Sequence, residues 1–126
     1  MTPETKKAKE WEPMLRRLKE TARREKAHLD ERRQEGHRAA AKVAEKLREV
    51  YGVKRAWLVG SMARDGSVVS EGSDLDVVVE GLPANAHVHG GVLADREAPA
   101  FTVDLIRLEE LDSSIRELFL KEGIPI

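Results

Sequence analysis

The sequence changes grammar at Gly52, and that change limits what the chain can fold into. Residues 3–50 are dominated by Ala, Glu, Lys, Arg and Leu, the residues with the strongest intrinsic preference for helix. Thr2-Pro3 offers a hydroxyl cap with proline in the first turn. Trp11, Met14, Leu15, Leu18 and Ala22 recur at helical spacing and draw one narrow apolar stripe. The run DERRQEGHR, from Asp30 to Arg38, is polar on every side and contains Gly36, so a kink or a boundary is expected there. Ala40, Val43, Ala44, Leu47 and Val50 form a second amphipathic segment, which Gly52 ends.

After Gly52 the apolar runs have strand length. Ala56–Val59, Leu75–Val79 and Phe101–Leu108 read as strands, the last with Phe101, Val103 and Leu105 alternating against Thr102 and Asp104. A helix is expected from Ser61. Residues 81–100, rich in Gly, Pro and Ala, have no clear period and read as a loop. Ser114 and Glu117 resemble a capping box opening a last helix that Gly123 closes. The expected organisation is an N-terminal helical extension, residues 1–35, and a small domain, residues 36–126. Its class is α/β (α+β), a small mixed sheet flanked by helices.

At 126 residues the chain has room for one modest core. It has no cysteine, which excludes a disulfide framework, a thiol nucleophile and a thiolate zinc site. No apolar run approaches the length of a membrane span, and no signal-peptide pattern opens the sequence. A soluble, cytoplasmic protein is expected. Residues 1–50 hold 15 basic and 10 acidic side chains, residues 51–126 hold 7 and 13, so the halves differ in sign and prefer different partners.

The acidic half carries the chemistry. Asp74 and Asp76 are two apart on a strand and share a face. Side by side they repel, and a hard divalent cation relieves that repulsion. Asp104 places a third carboxylate inside the apolar strand FTVDLIRL. In WLVGSMAR, Gly60 ends a strand, where a missing side chain lets a ligand approach the backbone. Ser61 follows at an expected helix N-terminus, where free N–H groups favour phosphate. Arg64 adds a forked cation. Phosphate donors facing metal-binding carboxylates suit phosphoryl or nucleotidyl transfer assisted by two metal ions.

Gly60-Ser61, Arg64, Asp74-x-Asp76 and a later strand aspartate together resemble the nucleotidyltransferase superfamily of the DNA polymerase β type. Within it the chain resembles the minimal nucleotidyltransferases, including antitoxin-type proteins paired with HEPN-domain partners. The likeness covers roughly residues 38–126. It implies that Asp74, Asp76 and Asp104 are catalytic and hold Mg²⁺, two ions in all, and that Gly60, Ser61 and Arg64 bind the nucleoside triphosphate. It implies transfer of a nucleoside monophosphate, AMP from ATP foremost, onto a hydroxyl of a protein, an RNA or a small molecule. The alternative is an inactive antitoxin-like subunit that neutralises a HEPN-type ribonuclease by contact. Three features depart from the pattern. Gly60 and Asp74 are fourteen positions apart, a longer interval than the pattern leads one to expect. Asp65 puts an anion near the phosphate donors. Residues 81–100 lack the usual helix.

Other residues read more plainly. His28 and His37 fall among helical charges and read as surface, His87 and His89 as part of a solvated loop, and Glu71 as a loop carboxylate. The Trp11–Leu18 stripe reads as a packing face, for a homo-oligomer through the N-terminal helix or for the catalytic domain. Arg16, Arg17, Arg23, Arg24, Arg32 and Arg33 make RNA a candidate partner. Their interleaving with Glu20, Glu25, Asp30 and Glu31 fits a salt-bridged solvated helix better.

Overall fold

In the computed structural model the structure describes residues 3–64 and 74–126, with side chains from residue 10 onward. Thr2, Asp65 and Glu71, singled out above, lie outside these residues. The chain divides into two compact units, Met1–Glu31 and Arg32–Ile126.

The first unit is helical throughout its described part and forms the start of α1 (Pro3–Tyr51). The helix is assigned through Pro13, which has no N–H to give the carbonyl four residues back. Arg16 and Glu12, at 3.6 Å, and Arg23 and Glu20, at 2.7 Å, are exposed ion pairs along it.

The second unit begins inside α1 and adds β1 (Arg55–Val59), β2 (Leu75–Glu80), α2 (His87–Glu97), β3 (Val103–Arg107), α3 (Ser113–Glu122) and β4 (Ile124–Pro125). The sheet order is β3-β2-β1-β4. β1 pairs antiparallel with β2 and β4, and β2 pairs parallel with β3. A parallel pair needs a long crossover, and α2 supplies it. The expected mixed sheet flanked by helices is present.

Strand alternation divides the core between the two faces of the sheet. Ala56, Leu58, Val77, Val79, Val103 and Leu105 pack with Ala40, Val43, Ala44 and Leu47 of α1 and Ala94 of α2. Trp57, Val59 and Val78 face the other way, with Leu108, Ile106, Leu111 and Phe119. The second cluster is the smaller one, so that face is the more open.

Four sequence expectations are corrected. Residues 81–100 are not a loop: a short 3-10 turn, Ala84–Ala86, leads into α2. Gly90 belongs there because a Cβ at that position would stand 3.2 Å from Leu105 Cδ2 and 3.4 Å from Leu82 Cδ2; the glycine lets the helix lie close on the sheet. The boundary expected in the run Asp30–Arg38 falls between Glu31 and Arg32, but Gly36 itself does not end α1. A Cβ there would meet Met62 Cγ and Sδ at 3.0 Å, so it too marks a close approach. The cap of α3 is Asp112, whose Oδ1 accepts the Ile115 N–H at 3.0 Å and the Ser114 hydroxyl at 2.7 Å. Residues 61–63 form a turn and Arg64 a bend, with no helix among them.

Candidate active site

The open face of the sheet brings the expected residues together at one end. β2 and β3 are in register so that Asp76 and Asp104 are direct partners across the parallel pair. Asp74, two residues before Asp76 at the entry to β2, falls on the same face. On the other side of β2, Val59 is the partner of Asp76. β1 therefore delivers the next residue, Gly60, beside the carboxylates. An added Cβ on Gly60 would stand 2.6 Å from Asp76 Oδ2, and the Gly60 φ of +80° is in the left-handed region. Glycine is required there twice over, by backbone conformation and by the space the carboxylate occupies.

The electrostatics agree with this grouping. The Asp76 carboxyl is held above the usual carboxylate range, first by partial burial, then by the negative charges of Asp104 and Asp74. Among the described residues no cation forms an ion pair with any of the three. Such a cluster costs folding free energy as it stands and gains from a bound cation.

The donors suit a hard divalent ion, since all are carboxylate oxygens. Among the described residues no group of three or more His, Asp or Glu side chains is arranged as a finished metal cage. Mg²⁺ does not need one. It is ordinarily held by one or two carboxylates together with substrate phosphates, and the facing pair Asp76 and Asp104 meets that requirement.

Gly60 opens a turn closed by the Ala63 N–H donating to the Gly60 carbonyl at 3.1 Å. A turn of this kind uses only its last N–H, and Met62 is fully buried, which leaves the Ser61 amide and hydroxyl as the donors at the end of β1. Ser61 is half-buried and Arg64 exposed. Arg64, Gly60 and Val59 also line a cleft of about 130 Å³ whose other wall is Leu118, Phe119, Glu122 and Gly123 of the α3 end.

Two contributors escaped the sequence reading. His37 is not a free surface residue: its Nε2–H donates to the Met62 carbonyl at 2.7 Å, tying α1 to the turn after Gly60. Gly36, beside it, lets α1 approach Met62. The available signal was a glycine interrupting an otherwise strong helical run. The cleft wall from α3, Leu118 and Phe119, was also missed. His87 is likewise no loop residue; its Nε2–H donates to the Leu105 carbonyl at 2.7 Å, holding α2 to β3.

No protein-family profile and no curated protein matches the chain by sequence. Solved structures do match in fold. A crystal structure of a toxin–antitoxin with AMP-PNP matches at TM-score 0.56 and 21% identity, over 68% of this chain and 70% of that one. The toxin–antitoxin MntA–HepT matches at TM-score 0.52 and 18% identity, over 71% and 69%. A variant of that pair, with two aspartates two positions apart changed to glutamate, matches at 0.55 and 18%, over 68% and 70%. At these identities the likeness is one of fold: the chain shares the α+β fold found in these toxin–antitoxin structures.

Proposed function

We propose that this chain is a Mg²⁺-dependent nucleotidyltransferase that moves a nucleoside monophosphate, AMP from ATP foremost, onto a hydroxyl of a protein, RNA or small-molecule acceptor. In this reading it serves as the antitoxin of a toxin pair of the HEPN type. The observation that carries the reading is the register of Asp76 on Asp104 beside a glycine that must remain glycine. The likeness to a toxin–antitoxin solved with AMP-PNP supports the nucleotide.

Each residue has a task of its own. The Ser61 amide and hydroxyl hold phosphate oxygens, and Arg64 adds positive charge from the cleft side. Asp76 and Asp104 would hold the metal, with Asp74 beside them on the same face. Asp104, the more exposed member of the facing pair, is placed to accept the proton of the attacking hydroxyl. The metal supplies charge for the transferring phosphoryl group and for the departing pyrophosphate. Burial of Asp76 keeps its carboxyl basic, and metal binding offsets that cost.

A second reading is neutralisation of a toxin by contact alone. Two measurements separate the two. The first is thermal melting with each nucleoside triphosphate, with and without Mg²⁺, on the native chain and on Asp76→Asn and Asp104→Asn. The second is transfer of label from α-labelled ATP to a co-expressed toxin. Metal-dependent stabilisation and labelling, both lost in the variants, are expected. Labelling that survives Asp76→Asn sinks the catalytic assignment, and neutralisation without labelling leaves the contact reading standing.

A further inference from the structure

The active-site reading makes no use of the most apolar exposed feature of the first unit. Trp11 is 55% exposed and Leu18 58%, with Met14 and Leu15 close behind. These residues belong to a helix with little means of holding itself. Isolated helices are marginal in water, and the proline at position 13 removes a hydrogen bond and costs about 3 kcal/mol in a helix interior. The stripe therefore needs a covering surface.

Its spacing says what kind. Trp11, Leu15, Leu18 and Ala22 follow steps of four, three and four, and Leu29 continues the pattern after Glu25. That is the narrow seam of a coiled coil, not the broader face a helix turns to a globular core. The outer faces are already occupied by the pairs Arg23–Glu20 and Arg24–Glu20, at 2.7 and 3.5 Å. A single second helix fits the seam.

We propose that this helix is the same segment of a second copy of the chain, running antiparallel about a two-fold axis between Arg16 and Arg17. In that register Trp11 of one copy lies across Ala22 of the other, large against small, and Leu15 lies across Leu18. Glu12 then faces Lys19 of the second copy, and by symmetry Lys19 faces Glu12, giving two opposite-charge pairs at the seam's edge. Met14 falls beside Thr21 of the second copy. The parallel alternative stacks Trp11 on Trp11 and leaves Ala22 opposite Ala22, crowded at one layer and void at another. The interface is short, under about 1,200 Å² in total, at the transient end of specific contacts. It does not depend on the nucleotide reading, since no residue of the active site takes part.

Sedimentation equilibrium of the full chain, from low micromolar to sub-millimolar concentration, is the test. The average mass should rise towards twice the monomer value, and Leu15→Glu with Leu18→Glu should hold it at the monomer while melting of the second unit is unchanged. Because the native chain has no cysteine, register is also measurable. A mixture of Glu12→Cys and Lys19→Cys chains should form a mixed disulfide dimer on mild oxidation, while each alone stays unlinked. A monomer at every concentration overturns the proposal, even if the stripe then binds a different protein. So does an Ala22→Cys chain that links to itself, the mark of parallel pairing, or a mixture that fails to link.

Discussion

Two glycines of this chain share a backbone conformation and differ in surroundings, which separates the cost of strain from the loss of a site. Gly52 has φ +70° with nothing within 4 Å of an added Cβ. Gly60 has φ +80° with Asp76 Oδ2 at 2.6 Å. Alanine in the left-handed region costs about 1–2 kcal/mol. For a unit of this size that lowers Tm by roughly 5–15 °C, and it applies to Gly52→Ala and Gly60→Ala alike. The Gly60 clash adds little to this, because the atom it meets ends a short side chain that rotates away. That rotation, however, takes the carboxylate from its place opposite Asp104. On the proposed function, nucleotide with Mg²⁺ at about a hundred times its Kd should stabilise the native chain by about 2.7 kcal/mol. Tenfold weaker binding removes about 1.4 kcal/mol of that. Scanning calorimetry with and without Mg²⁺·ATP should show Gly52→Ala melting early but gaining the full ligand increment. Gly60→Ala should melt equally early and lose half the increment or more. The reasoning fails if Gly60→Ala keeps the whole increment, or if Gly52→Ala loses it too.

Three further outcomes are expected. Asp76→Asn should raise stability without ligand, by about 1 kcal/mol or less for a partly solvated charge. The folded Asp76 carboxyl binds its proton more tightly than the unfolded one, so the gain should grow as pH rises through the folded value and vanish in acid; a gain independent of pH contradicts the charge cluster. Asp112→Ala should weaken α3 more than Ser114→Ala does. Hydrogen bonds from the Ile115 amide, then from the Ser114 hydroxyl, hold the Asp112 carboxyl below its usual range, so its contribution should be present above the unfolded value and disappear as pH falls through the folded one; equal losses in urea denaturation would restore Ser114 as the cap. His37→Ala should cost about 1 kcal/mol from the lost hydrogen bond and also weaken nucleotide binding, with His37→Gln recovering part of both; unchanged binding by calorimetric titration would show that the turn holds its shape unaided.

The strands and the acidic residues were legible because Leu75–Val79 is a short apolar run bounded by turn residues and Phe101–Leu108 alternates at period two, and because an aspartate in such a run stands out against its apolar neighbours. The register of Asp76 on Asp104 is a tertiary fact, but sequence resemblance anticipated that the two would meet. α2 was not legible. Its sequence, HVHGGVLADRE, has two adjacent glycines and no capping side chain at Ala86, so local propensity argues against it. Packing overrides that: Gly90 admits the close approach to Leu82 and Leu105, and Asp95 Oδ1 accepts the Val103 N–H at 3.1 Å. The same cause misplaced Gly36 and His37. Glycine in a helix reads as weakness until the neighbour it makes room for, Met62, is known. At α3 the error was one of choice between two adjacent caps, Asp112 and Ser114, of which the carboxylate binds the amide.

The parallel pairing of β2 with β3 has a consequence for the order of events during synthesis. Asp74 and Asp76 emerge from the ribosome well before Asp104, and α2 must wrap across before the two strands can meet. A nascent chain lacking β3 presents half a binding site and retains little ligand. Any ligand held between Asp76 and Asp104 would therefore act almost wholly on the completed fold, favouring chains that have finished the sheet over those that have not.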